Sequence, residues 1–383
     1  MLEFLLYTLL ALVVYTYIGY PVIIIVLGKL IPKKRKLDLN FEPSVTWVVP
    51  SYNEEDIIAD KIENLLGLDY PREKLQIMVI TDGSTDQTPE IVRLFEGVEV
   101  LHKKERAGKS AAENRAMKFV ESEIVVFNDA NTKVGKGALR ALVQHYADPI
   151  VGGVSGAKGI LVEEADGAES KGEGLYWKYE SAIKKADSKV NSLMGAAGEL
   201  VSFRASLVQD LPLDTILDDF MQSFYILKQN KVMIYEPDAR AEETSSASID
   251  EELKRKVRIA AGGWQSISRL PFMFNVFRRP VQSWMYISHR VLRWSITAFS
   301  LPVLFLVNAL LVPAALEFKV LFAAQILFYG IAALAHAVRE RSLPGPVLAV
   351  YYFCVMNYAV LAGFKRFVLK SQKASWERSA RKK

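Results

Sequence analysis

The 383-residue chain has one cysteine, Cys354, and four histidines at positions 102, 145, 289 and 336. A single thiol excludes a disulfide framework or a cysteine-based metal site within one chain, and suits a reducing compartment. The histidines lack metal-ligand spacing and are assigned no chemistry. A Gly-x-Ser-x-Gly elbow, a Gly-x-Gly-x-x-Gly fingerprint and zinc motifs are missing too, as are internal repeats and low-complexity tracts. The first strand candidate runs into Pro50-Ser51-Tyr52-Asn53-Glu54 where a dinucleotide oxidoreductase would carry glycines. Charge of one sign is scarce: 48 basic against 43 acidic residues leave a net +5. The basic residues gather beside apolar segments, so anionic membrane lipid is the expected partner and nucleic acid is not.

What is abundant is apolar surface. With 51% hydrophobic residues and a mean hydropathy of +0.13, the chain is too apolar for an ordinary soluble protein. Residues 2–28 carry one charge, Glu3, and three further apolar stretches follow residue 290, so the excess belongs to a bilayer. The first stretch has no basic lead-in, exceeds a signal-peptide core and ends in Lys-Leu-Ile-Pro without a small-residue cleavage site. It predicts a retained helix. Lys29, Lys33, Lys34, Arg35 and Lys36 follow at once, and the positive-inside rule puts the downstream domain in the cytoplasm of a multi-pass cell (inner or plasma) membrane protein.

From there to about residue 245, short β-branched runs alternate with amphipathic segments, which predicts an α/β domain built on a βαβ array. Strands are expected at 44–50, 75–81, 98–102 and 123–129, and helices at 139–147 and 168–189. Basic and aromatic residues mix over 251–290 (Arg258, Arg269, Arg278, Arg279 with Trp264, Phe272, Phe277, Trp284), as in helices lying at a membrane interface. Spanning segments are expected at 293–315, 319–337 and 346–364. Three crossings put the tail outside. Yet Lys365, Arg366, Lys370, Lys373, Arg378, Arg381, Lys382 and Lys383 argue for inside, as do Arg339 and Arg341 in the preceding loop. Either one segment is re-entrant or the charge rule fails.

Three strand ends carry acidic clusters: Tyr52-Asn53-Glu54-Glu55, Asp82-Gly83-Ser84-Thr85-Asp86 and Asn128-Asp129-Ala130-Asn131. In an open α/β sheet such ends meet in one crevice. Each cluster alone reads equally well as a turn; their recurrence does not. Gathering carboxylates costs repulsion, which a divalent cation and a nucleotide's donors relieve.

These pieces resemble glycosyltransferase family 2 through VVPSYNEE, TDGSTD, RAGKSAAENRAM, FNDANT, EGLYWKYES, GAAGELVSFR, LDDFMQSFYILKQNKVMIYEP and KVRIAAGGWQ, over about residues 43–270. The flanking helices resemble those of membrane-embedded members that build polysaccharides or glycolipids, such as cellulose, hyaluronan and poly-N-acetylglucosamine synthases. The resemblance implies a glycosyltransferase A-type nucleotide-binding fold with a mixed, mostly parallel sheet, plus transmembrane and interfacial helices. The implied organisation is a transmembrane helix and basic flank at 1–36, a cytoplasmic glycosyltransferase domain at 37–250, interfacial helices at 251–292, transmembrane helices at 293–364 and a basic tail at 365–383.

The resemblance also assigns residues. Pro50, Tyr52, Glu54 and Asp82 fall in the nucleotide pocket, with the Tyr52 ring on the base, and Lys109 approaches the nucleotide or its phosphates. Asp129 and Asn131 occupy the family's Asp-x-Asp motif, which holds Mg2+ or Mn2+ on the donor diphosphate; here an amide replaces the second carboxylate. Asp219 is the base that takes the acceptor proton in an inverting transfer, while Asp218 also suits a helix N-terminus. Arg258 is placed on the diphosphate, and Gly198 and Trp264 on the acceptor side. Arg258 and Trp264 stand in reversed and stretched order relative to the Gln-x-x-Arg-Trp of processive members, and an interfacial role for Trp264 is an equal alternative.

The expected function is transfer of a sugar from a nucleotide sugar, a UDP-sugar by resemblance, to a polysaccharide or lipid-linked acceptor. Non-processive addition of one sugar to a lipid, and a catalytically silent nucleotide-sugar-binding scaffold, are the alternatives. So few spanning helices for export point to a homo-oligomer or an export partner.

Overall fold

The computed structural model describes residues 1–161, 168–244, 249–338 and 343–374. Arg339, Arg341, Arg378, Arg381, Lys382 and Lys383 lie outside the described residues. Eight strands form one mixed sheet: β1 Val45–Ser51, β2 Leu75–Asp82, β3 Val98–Lys103, β4 Ile124–Phe127, β5 Lys133–Val134, β6 Val151–Leu161, β7 Val201–Arg204 and β8 Val232–Thr244. Their order is β3-β2-β1-β4-β7-β6-β8-β5. β3, β2, β1 and β4 run parallel, β7 is antiparallel to both its neighbours, β6 and β8 are parallel, and β5 closes the edge antiparallel to β8.

The central strands are apolar on both faces because helices cover both faces. Val48, Met78, Ile80, Val125 and Phe127 enter one core with Tyr20, Ile24, Met194, Phe220, Phe224 and Tyr286. The alternate residues Trp47, Val49, Ile77, Val79, Ile124 and Val126 enter a second core with Ile58, Ile62, Leu65, Leu139 and Leu142. The period-2 alternation of a strand thus feeds two separate layers. The first layer contains Tyr20 and Ile24 of the helix Leu2–Leu30, so the N-terminal helix is seated on the sheet itself.

Each expected strand is present, with one difference at its end. β4 stops at Phe127, two residues before the expected 129. Asn128 N still donates to the Val48 carbonyl of β1 at 3.2 Å, while its side chain turns inward: Nδ2 donates to Thr132 Oγ1 at 2.8 Å and to the Glu199 carbonyl, and Oδ1 accepts from Lys61. The two expected helices appear as Ala138–Val143, continued by a short turn at Gln144–Ala147, and Ala168–Val190.

Among the described residues, three helices are long and apolar enough to cross a membrane, Leu2–Leu30, Leu316–Ala337 and Gly345–Val368. A fourth candidate is a pair, Pro280–Trp294 and Ile296–Leu311, bent by 53° at Ser295. The expected span 293–315 is therefore broken near its start, where Ser295 adopts φ −140° and ψ −101°. The helix Leu2–Leu30 packs on Ile296–Leu311 through Leu6, Leu304, Val307 and Leu311, and Thr16 Oγ1 lies 3.1 Å from Thr297 Oγ1. In the basic-aromatic stretch, the helix Ile249–Arg269 buries Val257, Ala260 and Ala261, while Phe274, Val276 and Phe277 stand exposed.

Ile249–Arg269 and Gly345–Val368 cross so closely that a Cβ on Gly363 would lie 2.5 Å from the Ala260 Cβ and 2.8 Å from the Ala261 nitrogen. Gly330 has nothing within 4 Å of the same position. Gly363→Ala should cost about 1–3 kcal/mol through overpacking, seen as a lower Tm of the purified protein, with Gly330→Ala unchanged; equal Tm values would refute the close crossing.

Candidate active site

The polar ends of β1, β2 and β4 lie side by side, because β1 pairs with both β2 and β4. Two groups of side chains assemble there. The first is built on the loops after β1 and β2, which are stitched together: Asn53 N donates to Ser84 Oγ at 3.1 Å, Thr85 N to Asn53 Oδ1 at 2.8 Å, and Glu54 N to Thr88 Oγ1 at 2.9 Å. Glu54 is buried beside them, and Pro50 is buried within β1. The Asp82 Oδ2 accepts from Ala107 N at 3.0 Å and Gly108 N at 2.6 Å, which anchors the start of the helix Lys109–Ala116. Its Oδ1 is buried without a partner among the described residues, and so keeps acceptor capacity for a ligand's N–H or O–H. The Tyr52 ring is covered by the Arg106 guanidinium at 3.6 Å, a residue not singled out in the sequence.

The second group centres on Lys109. Its Nζ lies 2.9 Å from Asp129 Oδ1, 3.2 Å from Asp218 Oδ2 and 3.9 Å from Glu113 Oε1. A Cβ on Gly198 would sit 3.3 Å from that Nζ and 3.6 Å from the Asp219 carboxyl, so the bare glycine leaves the space between them clear. Asp218 and Asp219 open the helix Asp218–Lys228, and the segment before it is held by Gln265, which accepts from Ile216 N and donates to the Asp214 carbonyl. The residues thus brought together are Lys109, Asp129, Asp218, Asp219 and Gly198, with Arg258 near enough to feel the charges of Asp218, Asp129 and Asp219. Arg258 donates weakly to the Ile216 carbonyl at 3.4 Å, and its Nε has no partner among the described residues.

The charges in this cluster differ by environment. Burial and the adjacent Asp218 raise Asp219 to about 7, against the opposing pull of Lys109. Burial would also raise Asp218, but Lys109 and a hydrogen bond from Glu113 outweigh it and hold Asp218 low. Glu113 goes the other way, raised by burial and by Asp218, so it is the neutral acid that donates. The cluster therefore separates a fixed anion, Asp218, from a carboxyl that titrates near neutrality, Asp219.

Beneath the turn after β4 lies Lys61, which sequence reading passed over. It occupies a core position of the helix Ile58–Leu66 and donates to Asn128 Oδ1, to the Thr132 carbonyl at 2.7 Å and to Thr132 Oγ1 at 3.3 Å. Burial lowers it to about 7 against the attraction of Asp129. It fixes the turn that presents Asp129 and Asn131.

Trp264 lies in another neighbourhood. Its ring packs on Phe364 at 4.7 Å, Phe299 at 6.2 Å and Phe367 at 6.5 Å, among the long apolar helices. No three His, Cys, Asp or Glu side chains among the described residues are arranged to hold a metal ion. Asp129, with its side chain 37% exposed, and Asn131 offer a carboxylate and an amide, oxygen donors of the kind a hard cation takes.

Residues 46–208 match the family model described as glycosyl transferase family 2. They form a glycosyltransferase family 2 domain. Among curated relatives, a poly-beta-1,6-N-acetyl-D-glucosamine synthase of Staphylococcus aureus is 27% identical over 249 residues, 61% of this chain and 58% of the relative. A beta-monoglucosyldiacylglycerol synthase of Synechocystis sp. is 30% identical over 164 residues, 41% of this chain and 33% of the relative. The match thus spans little more than half of the first relative's length. Among solved structures, the mannosyltransferase PcManGT of Pyrobaculum calidifontis, in complex with GDP-Man and Mn2+, superposes with a TM-score of 0.75 at 24% identity, covering 97% of this chain and 99% of that one. The family 2 domain and its flanking helices therefore share one overall fold with that protein.

If Asp219 must be ionised for turnover, kcat/KM should fall with unit slope as pH drops below about 7. Asp218→Asn removes the neighbouring negative charge, so the same limb should move to lower pH. A limb that stays in place in Asp218→Asn would remove the coupling.

Proposed function

We propose that the chain is a membrane-embedded inverting glycosyltransferase that moves a sugar from a nucleotide-sugar donor to a polysaccharide or lipid-linked acceptor. The observation that carries this reading is the convergence of Lys109, Asp129, Asp218, Asp219 and Gly198 beside the stitched loops that bear Tyr52 and Asp82. Tyr52, Glu54, Pro50 and Asp82 form the nucleotide side. Lys109 and Arg258 supply positive charge toward the diphosphate. Asp219 accepts the proton of the acceptor hydroxyl as its oxygen bonds to the anomeric carbon, and the bond from that carbon to the diphosphate breaks on the opposite face. A group with a pKa of about 7 is matched to that task near neutral pH. Asp129 and Asn131 would hold Mg2+ or Mn2+, which would supply charge neutralisation on the leaving diphosphate.

Addition of a single sugar is the second reading. It is favoured by Trp264, which packs among Phe299, Phe364 and Phe367 and not beside the carboxylates. Product length, one sugar or a polymer, separates the two.

The bend at Ser295 supports a re-entrant Pro280–Leu311 pair, which leaves Leu316–Ala337 and Gly345–Val368 as the crossings after a cytoplasmic domain and returns the basic Lys365, Arg366, Lys370 and Lys373 to the cytoplasm. In a Cys354→Ser background, Lys373→Cys should then be labelled by an impermeant thiol reagent only from the cytoplasmic side; labelling from outside alone would overturn this topology.

The activity test is nucleotide release by membranes given UDP- and GDP-sugars with Mg2+ or Mn2+. Asp219→Asn should lose at least about 100-fold in turnover, in the range expected of a lost general base, while donor binding is retained. Undiminished turnover in that variant would remove Asp219 from the mechanism.

A further inference from the structure

A buried ionic network lies where the long helices meet the family 2 domain. The Asp187 carboxylate accepts from the Tyr20 hydroxyl at 2.5 Å and lies 2.6 Å from His289 Nδ1. Seven residues earlier on the same helix, Glu180 takes Arg290 at 2.7 Å and Arg293 at 2.9 Å. All of these side chains are buried or nearly so. Burial of this kind is costly and gives little net stability against an apolar alternative, so its position in the fold is the informative feature.

One member reaches further than the others. Arg290 uses its Nε to donate to the Met194 carbonyl at 2.7 Å, while its guanidinium faces the rings of Trp294 at 5.6 Å and Phe220 at 6.0 Å. Met194 opens the segment that leads to Gly198, and Gly195 and Ala196 within it are both held. Gly195, at φ +94°, has the Phe220 ring where a Cβ would be, at 2.3 Å. Ala196 N donates to Ser223 Oγ at 3.0 Å, and that hydroxyl donates to the Asp219 carbonyl at 2.7 Å. Gly198 then borders the Asp219 carboxyl and Lys109. The same guanidinium therefore joins the bent helix pair to the backbone that walls the transfer site.

We propose that Arg290 is a positioning residue: it transmits the seat of the bent helix Pro280–Trp294 to the Met194–Gly198 backbone, and so sets the space on the acceptor side of Asp219. Its meaning for transfer rests on the function proposed above; the positioning itself does not. Arg293 is the internal control: it pairs with the same Glu180, whereas among the described residues the hydrogen bond to the Met194 carbonyl comes from Arg290.

The test uses the full chain in lipid nanodiscs and compares Arg290→Lys with Arg293→Lys. Arg290→Lys keeps a charge for Glu180 and loses the planar fork that also serves the Met194 carbonyl. Hydrogen exchange in peptides covering residues 194–200 should rise in Arg290→Lys and stay at the wild-type level in Arg293→Lys. Acceptor-dependent kcat/KM should drop by roughly 10- to 100-fold, the scale of a small misplacement, with donor affinity and the pH limb unchanged. Unaltered exchange in Arg290→Lys, or an equal rise in both variants, overturns the proposal. Wild-type protein without transfer activity would sink the proposed function and leave the exchange comparison to decide the positioning. If Arg290→Lys does not fold, Arg290→Gln replaces it, since Arg293 still neutralises Glu180.

Discussion

Lys109 places one ammonium within 2.9 Å of Asp129 and 3.2 Å of Asp218, with Glu113 at 3.9 Å, and these side chains come from three distant parts of the chain. Carboxyl groups packed this densely repel one another unless a cation joins them or protons neutralise them. Both devices operate here. Lys109 compensates Asp129 and Asp218, and Glu113 stays protonated, which leaves Asp219 as the carboxyl with neither remedy in full. The chemistry assigned to Asp219 follows from that uneven sharing of one positive charge.

The same logic explains why the surroundings are rigid. Asp82 ties down the start of the Lys109 helix through two backbone N–H groups, and Lys61 ties down the turn that carries Asp129. Each anchor spends a polar group on the backbone where a ligand role was also expected or where an apolar residue would ordinarily stand. A site that holds charge apart over a few ångströms requires its backbone to stay in place.

Much of this was legible in the sequence, for identifiable reasons. β1, β2 and β4 are central, apolar on both faces and followed at once by polar clusters, so their positions and the convergence of their ends could be read directly. Asp219 was singled out from Asp218 by resemblance alone, and in the fold both carboxyls border Lys109. β6 could not be read, since its Val-Gly-Gly-Val-Ser-Gly stretch has the composition of a loop; Gly153 is needed because Met233 and Phe203 occupy the space a Cβ would take. Lys61 did leave a signal, a lysine within the Ile58, Ile62, Leu65 stripe of an amphipathic helix. Glu113 and Arg290 left none, because their roles arise from residues about 100 positions away that meet only in the fold.

Tyr20 and Ile24 share a core with β1, β2 and β4, although they belong to the helix Leu2–Leu30 that is apolar enough to cross a membrane. The first helix is therefore not a tether from which the family 2 domain hangs. Trimming the protein to begin beyond Leu30 would strip side chains from underneath the sheet and uncover apolar surface, so a water-soluble fragment made that way would lose part of its own interior along with its anchor.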